Sequence, residues 1–116
     1  MLHWLLVLVA CAACKKEQAA APPPDDRPPP IPAIELKRGE DACAAYVSKV
    51  CACTAPEAAQ QCGLAKALPD AIATALEVAH NTESSRRDVV QSNDVIRKTM
   101  KECIEELGKL PALGCP

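Results

Sequence analysis

The sequence predicts an all-α fold, a small bundle of three or four short helices held together by disulfide bonds. Three stretches carry apolar residues at helical spacing, and no stretch alternates long enough to suggest a strand. Six cysteines lie in the same part of the chain, where Tyr46 is the only aromatic residue. A core of Ala, Val, Leu and Ile at this size supplies about 3–5 kcal/mol, so covalent cross-links are expected to supply the remaining stability.

The first predicted helix runs from about Asp41 to Cys53. The acidic residues at its start suit the positive end of the helix dipole. Cys43, Val47 and Val50 follow at positions i, i+4 and i+7, which places them on one face. That face is expected to pack against the rest of the bundle.

The second predicted helix begins at Thr54, in the sequence Thr-Ala-Pro-Glu. This is a capping-box pattern with proline in the first turn. An apolar stripe then continues toward Asn81 and consists of Leu64, Leu68, Ile72 and Leu76. Pro69 lacks a backbone donor, so we expect a kink or break at Leu68–Pro69.

The third predicted helix begins at Ser85, where Ser-Arg-Arg-Asp forms another capping pattern. Its stripe repeats at intervals of four and three and consists of Val89, Asn93, Ile96, Met100, Cys103 and Leu107. We expect Gly108 to end this helix and Pro111 to prevent its continuation.

The first eleven residues form an apolar run that is too short for a membrane span, which needs about 20 residues. The run has the length of the apolar region of a secretory signal. It ends in Leu8-Val9-Ala10-Cys11, which resembles the lipobox of bacterial lipoproteins. The resemblance implies a diacylglyceryl group on the Cys11 sulfur, cleavage just before Cys11, and acylation of the new amine. Residues 1–10 would then be the signal peptide.

A proline-rich segment follows and is expected to act as a linker over residues 11–38. Seven prolines fall between Pro22 and Pro32. Such a run favours polyproline II, which would extend about 34 Å over these positions. Lys15 and Lys16 lie near the expected anchor and could contact anionic lipid headgroups. The folded domain is expected over residues 39–116.

The six cysteines of the domain predict three disulfides, because an exported chain meets an oxidising compartment. They are Cys43, Cys51, Cys53, Cys62, Cys103 and Cys115. Six cysteines allow fifteen pairings, and the sequence alone leaves the pairing open.

Geometry narrows these pairings without fixing them. A direct bond within Cys51-Ala52-Cys53 would close a strained ring. If the first two helices form a hairpin, Cys62 faces either Cys43 or Cys51. Cys103 lies on the apolar face of the third helix and is expected to attach that helix to the hairpin. The C-terminal cysteine must then reach back to the remaining thiol.

Composition and motifs argue against several function classes. The formal charge of −2 gives no basic excess for nucleic-acid binding. No catalytic serine motif, phosphate-binding loop or zinc-binding helix motif occurs, so we expect no enzyme activity and no cofactor or metal. His80 is the only histidine after the signal, and we expect it on a helix surface.

The favoured interpretation is a lipid-anchored envelope protein that binds a partner or has a structural role. The chain resembles the small cysteine-rich lipoproteins of bacteria, a group without known activity. In that family, the absence of Asp after the modified cysteine favours the outer membrane, and Ala12 stands there. The expected partners are membrane lipid, through acylated Cys11, and an envelope protein.

Two alternatives remain open from the sequence. Cys51 and Cys53 form a C-x-C pair, which could serve an envelope thiol–disulfide or metal-binding protein. Ordinary signal cleavage would instead release a soluble secreted domain.

Overall fold

The computed structural model describes residues 24–116, which form three α-helices and a short 3₁₀ helix. The helices are α1 (Ala33–Ala52), α2 (Ala58–His80) and α3 (Arg86–Lys109), and η1 (Leu110–Leu113) follows α3 directly. No strand occurs within these described residues, and the fold is all-α. The expected signal peptide, the lipobox-like sequence and Cys11 lie outside the described residues.

Cross-links between the helices define their directions. Three contacts join the N-terminal part of the domain to its C-terminal part: the ion pair Glu35–Arg97 and the disulfides Cys43–Cys103 and Cys53–Cys115. In these pairs the residue numbers on both sides increase in the same order, so α1 and α3 run parallel. The disulfide Cys51–Cys62 joins the end of α1 to the start of α2, so these two helices form an antiparallel hairpin. The three helices therefore form an up-down-up bundle, in which each helix contacts the other two.

The bundle interior consists of two apolar clusters stacked along its length. The cluster nearer the start of α1 consists of Ile31, Cys43, Ile72, Ala75, Ile96, Met100 and Cys103. The cluster nearer the C-terminus consists of Tyr46, Val50, Ala58, Ala65, Leu110 and Cys115. Disulfide-bonded cysteines belong to both clusters, so covalent cross-links complete a core that has one aromatic residue.

Helix α1 begins at Ala33, well before the expected start at Asp41. The expected linker therefore ends too late at Arg38, since residues 33–38 are helical. Pro32 occupies the N-cap position, where its missing backbone donor costs nothing, and no proline follows it in the helix. Ile31 is buried in the core and fixes the entry of the chain into this helix.

Helix α2 begins at Ala58, four residues after the expected cap at Thr54. The capping prediction was wrong: the N-cap position belongs to Glu57, and no side chain caps this helix. A tight turn precedes the helix, with the Ala58 amide donating to the Ala55 carbonyl over 3.0 Å. Disulfides on both sides of this connection fix its path, and this tertiary constraint outweighs the local capping signal.

The predicted break at Pro69 does not occur, because α2 continues unbroken from Ala58 to His80. Pro69 has no backbone N–H, so α2 lacks one backbone hydrogen bond at this position. Buried residues on both sides of it, Ala65 and Ile72, hold the two halves against the other helices.

The predicted stripe of α2 was partly wrong. Leu64 is 61% exposed, and Leu68 and Leu76 are half-buried. The contact face is formed by Ala58, Ala65, Ile72 and Ala75. Alanine allows the neighbouring helices to approach closely, which the search for large apolar residues did not reveal.

Helix α3 follows the prediction at its start and along its face. The Ser85 hydroxyl accepts from the Asp88 amide over 3.2 Å, and the Ser85 amide donates to the Asp88 carboxylate over 3.1 Å. The predicted stripe is buried from Val89 to Cys103, and its last member, Leu107, is half-buried.

The predicted helix end at Gly108 was wrong, because α3 continues to Lys109 and is extended by η1. Leu110 is buried and continues the apolar face past the glycine. The left-handed residue is Gly114, with φ of 82°, and the turn there leads the chain to Cys115.

Candidate functional site

The six cysteines of the domain form three disulfides, as predicted. The pairs are Cys43–Cys103, Cys51–Cys62 and Cys53–Cys115. The open choice for Cys62 is resolved in favour of Cys51, and Cys103 attaches α3 to α1 as expected. The C-x-C pair is divided between two disulfides, so Cys51 and Cys53 do not form a dithiol.

The three disulfides differ in their exposure to solvent. Cys43 and Cys103 are 1% and 0% exposed, so their bridge lies within the core. Cys115 is buried, while its partner Cys53 is half-buried. Cys51 is exposed and Cys62 is half-buried, which makes their bridge the most accessible of the three.

The described part of the chain shows no group of three or more His, Cys, Asp and Glu side chains arranged to hold a metal ion. His80 is exposed at the C-terminal end of α2, on the helix surface where it was expected. Among residues 24–116, none of the helices combines the length and hydropathy needed to span a bilayer.

The end of the proline-rich segment is docked against the bundle. The Arg27 guanidinium donates to the backbone carbonyls of Asn81 and Thr82, over 3.3 and 3.5 Å, and so satisfies acceptors just beyond the end of α2. Asp25 orients that guanidinium through two contacts of 2.8 Å. These hydrogen bonds lower the pKa of the Asp25 carboxyl to about 2.

A second group of contacts holds the same segment. The Arg86 side chain of α3 donates to the Asp26 carbonyl over 3.1 Å. Pro28 and Pro30 lie beside the end of α2 and the start of α3, and Ile31 enters the core. Sequence reasoning missed this docking, although Arg27 within the proline run and Ile31 at its end were the signals for it.

A groove of about 640 Å³ lies between α1 and α3. Its floor includes Gly39, which has no side chain, and the neighbouring Met100. Ile34 and Ile104 line it and are 83% and 44% exposed. Apolar side chains left on the surface beside a concave site are typical of binding surfaces.

Charged side chains border this groove, which we call the α1–α3 groove. Arg97 pairs with Glu35 at 2.8 Å, and Lys101 lies 3.6 Å from Glu105. Arg38 also lines the groove and forms no ion pair with any other residue in the described range 24–116. Sequence reasoning did not find this groove, because residues 33–38 were assigned to the linker.

Comparison with protein-family models, with curated proteins and with solved structures finds no significant match to the chain.

Proposed function

We propose that this chain is a lipid-anchored protein of the bacterial envelope that presents a small disulfide-bonded helical domain to a binding partner. The observation that carries the proposal is the set of three disulfides, which uses every cysteine from Cys43 to Cys115. Disulfides persist in exported proteins and are rare in the cytosol. Export is also what Leu8-Val9-Ala10-Cys11 indicates through its resemblance to a lipobox.

The docked proline segment supports a tethered arrangement. Thirteen residues separate Cys11 from the segment that Arg27 holds against the bundle. Fully extended, they reach at most about 45 Å. An anchored Cys11 would therefore keep the domain near the membrane, with the tether entering at the α2–α3 end.

The α1–α3 groove supports a binding role for the domain. Its volume of about 640 Å³ lies within the range of about 300–1,000 Å³ that ligand sites occupy. Exposed Ile34 and Ile104 offer apolar contacts, and the charged border offers orientation. We propose an envelope protein as the partner and the outer membrane as the location of the anchor.

Intact mass of the protein purified from membranes tests the anchor. We expect the wild type to begin at Cys11, to carry the added mass of a diacylglyceryl and an acyl group, and to lack the six hydrogens that formation of three disulfides removes. Cys11→Ala should carry no lipid mass and should lose lipid-dependent partitioning into detergent. Cys14→Ala is the matched control, three residues away, and should remain lipidated.

Other masses would overturn the proposal. A wild-type chain cut within the first part of the sequence but without lipid would favour the secreted alternative. A full-length chain with Met1 and free thiols, recovered from the cytosol, would exclude export altogether.

A further inference from the structure

We infer that Cys51–Cys62 is a thiol-exchange site, a disulfide that a dithiol protein of the envelope can open while the other two remain closed. It joins the last turn of α1 to the first turns of α2, at the end of the bundle opposite to the docked proline segment. This inference rests on the proposed export of the chain but not on the lipid anchor at Cys11.

Exposure separates this disulfide from the other two. Thiol–disulfide exchange requires in-line approach of a thiolate to one of the two sulfurs, so a buried bridge is protected. Cys43 and Cys103 are both buried, and Cys115 is 2% exposed. Cys51, by contrast, lies on the exposed side of α1. Exposed disulfides are the labile members of a set.

The fold can tolerate the opening of this one bridge. Cys51 and Cys62 are 11 positions apart, and their helices are already adjacent as a hairpin. Cys43–Cys103 would still join α1 to α3, and Cys53–Cys115 would still join the α1–α2 connection to the C-terminus. These remaining bridges link positions 60 and 62 residues apart, so they carry the long-range constraint.

The exchange consists of two balanced steps. A thiolate of the dithiol attacks the exposed Cys51 sulfur, forms a mixed disulfide with it, and displaces Cys62 as a thiolate that takes up a proton. The second thiolate of the dithiol protein then attacks that protein's first sulfur, which is bonded to Cys51 in the mixed disulfide. Cys51 leaves as a thiolate and is protonated in turn. The dithiol is oxidised to a disulfide, and the protein gains two thiols.

The test uses the non-reduced protein purified in detergent, with glutathione as a monothiol probe, and the exposure is kept short so that the first mixed disulfide is trapped before a second glutathione displaces it. After brief exposure, remaining thiols are blocked and each adduct is assigned to one cysteine by fragmentation of the peptides in the mass spectrometer, since Cys51 and Cys53 share a peptide. We expect the glutathione adduct on Cys51 to exceed that on any other bridged cysteine by about tenfold or more. Any adduct on Cys14 falls on a separate peptide and is not counted.

A graded series of dithiothreitol concentrations gives a second readout on the same protein. Cys51 and Cys62 should be alkylated at concentrations that leave the other four cysteines of the domain unlabelled. The double variant Cys51→Ser/Cys62→Ser is the control and should acquire no adduct in the domain under these conditions. A predominant adduct on a cysteine of either other bridge, Cys43–Cys103 or Cys53–Cys115, or simultaneous opening of all three bridges, would overturn the inference.

Discussion

Gly39 is buried where α1 lies against α3, and the side chain of Met100 occupies the space that a Cβ atom would need. A Cβ built on Gly39 would lie 2.7 Å from the Met100 Cβ and closer still to its Cγ and Sδ. The nearest atoms include the root of the side chain, so rotation of the thioether alone does not relieve the overlap. We expect Gly39→Ala to lower the free energy of unfolding by about 1–2 kcal/mol, although alanine is the better helix former. Urea denaturation measures the change.

Gly63 provides the matched control, since it also lies within a helix but a Cβ there meets nothing within 4 Å. Gly63→Ala should raise the free energy of unfolding by about 0.5–1 kcal/mol. In a Met100→Ala background, the penalty of Gly39→Ala should become smaller without disappearing, because the Cγ and Sδ atoms are removed while the Cβ at 2.7 Å remains. A Gly39→Ala protein as stable as Gly63→Ala would contradict the packing described for α1 and α3.

The role of a single residue was predictable from the sequence where it depends on the residue type and not on distant neighbours. The cysteines were recognised as disulfide-forming because of their even number in a small domain that the sequence predicts to be exported. Gly39 and Arg27 were not singled out, because their roles depend on what α3 and the end of α2 place beside them. No local pattern encodes those neighbours.

At the scale of the element, the two capping patterns give a direct comparison. Ser85 caps α3 through its hydrogen bonds with Asp88, whereas Thr54 lies four residues before α2 and caps nothing. We expect Ser85→Ala to lower the free energy of unfolding by about 1 kcal/mol, because an amide at the helix start loses its acceptor. Thr54→Ala should change it by less than about 0.5 kcal/mol. Thermal or urea unfolding of both variants tests the difference.

Equal losses in these two variants would mean that Thr54 does cap α2 in solution, contrary to the helix start at Ala58. The comparison also shows why one boundary was predictable and the other was not. The α2–α3 connection contains no cysteine, so local hydrogen bonding decides where α3 begins. The α1–α2 connection contains Cys53 and lies between two disulfides, so the cross-links decide where α2 begins.

The start of α1 was missed for a related reason. A proline run excludes a helix only as far as its last proline, and Pro32 is the last before residues of good helix propensity. Residues 35–38 were included in the predicted linker. In the structure Glu35 and Arg38 line the α1–α3 groove, and Lys37 is exposed on the first turns of α1.

At the scale of the whole molecule, the disulfides should contribute unequally to stability. In the loop-closure description, a bridge across 60 residues stabilises by about 4 kcal/mol and one across 11 residues by about 3 kcal/mol. Removal of Cys43–Cys103 also leaves space in the core, which removal of the exposed pair does not. We therefore expect Cys43→Ala/Cys103→Ala to lower Tm more than Cys51→Ser/Cys62→Ser.

The two double variants control for each other, because each removes one bridge and leaves two. Calorimetry of the full chain without reductant measures both. Full reduction should lower Tm further than either variant. A larger decrease in Tm for Cys51→Ser/Cys62→Ser than for Cys43→Ala/Cys103→Ala would show that the α1–α2 connection, and not the core bridge, limits the stability of this bundle.

The all-α architecture and the number of disulfides were predictable, because helical periodicity and cysteine number are properties of the sequence itself. The pairing was not, since it depends on the relative directions of the helices. The parallel arrangement of α1 and α3, which brings Cys43 to Cys103, follows from packing of the whole molecule. The groove between those helices follows from the same arrangement, so it could not be predicted from the sequence either.

The docking of Arg27 on the end of α2 also has a mechanical consequence. A force applied from the N-terminal side is first resisted by the hydrogen bond from Arg86 to the Asp26 carbonyl and by those from Arg27 to the carbonyls of Asn81 and Thr82, before it loads the helices. If those bonds give way, the covalent loops closed by Cys43–Cys103 and Cys53–Cys115 limit how far the chain can be drawn out. Under tension we therefore expect the docked proline segment to detach first, while the chain between the bridged cysteines cannot be extended.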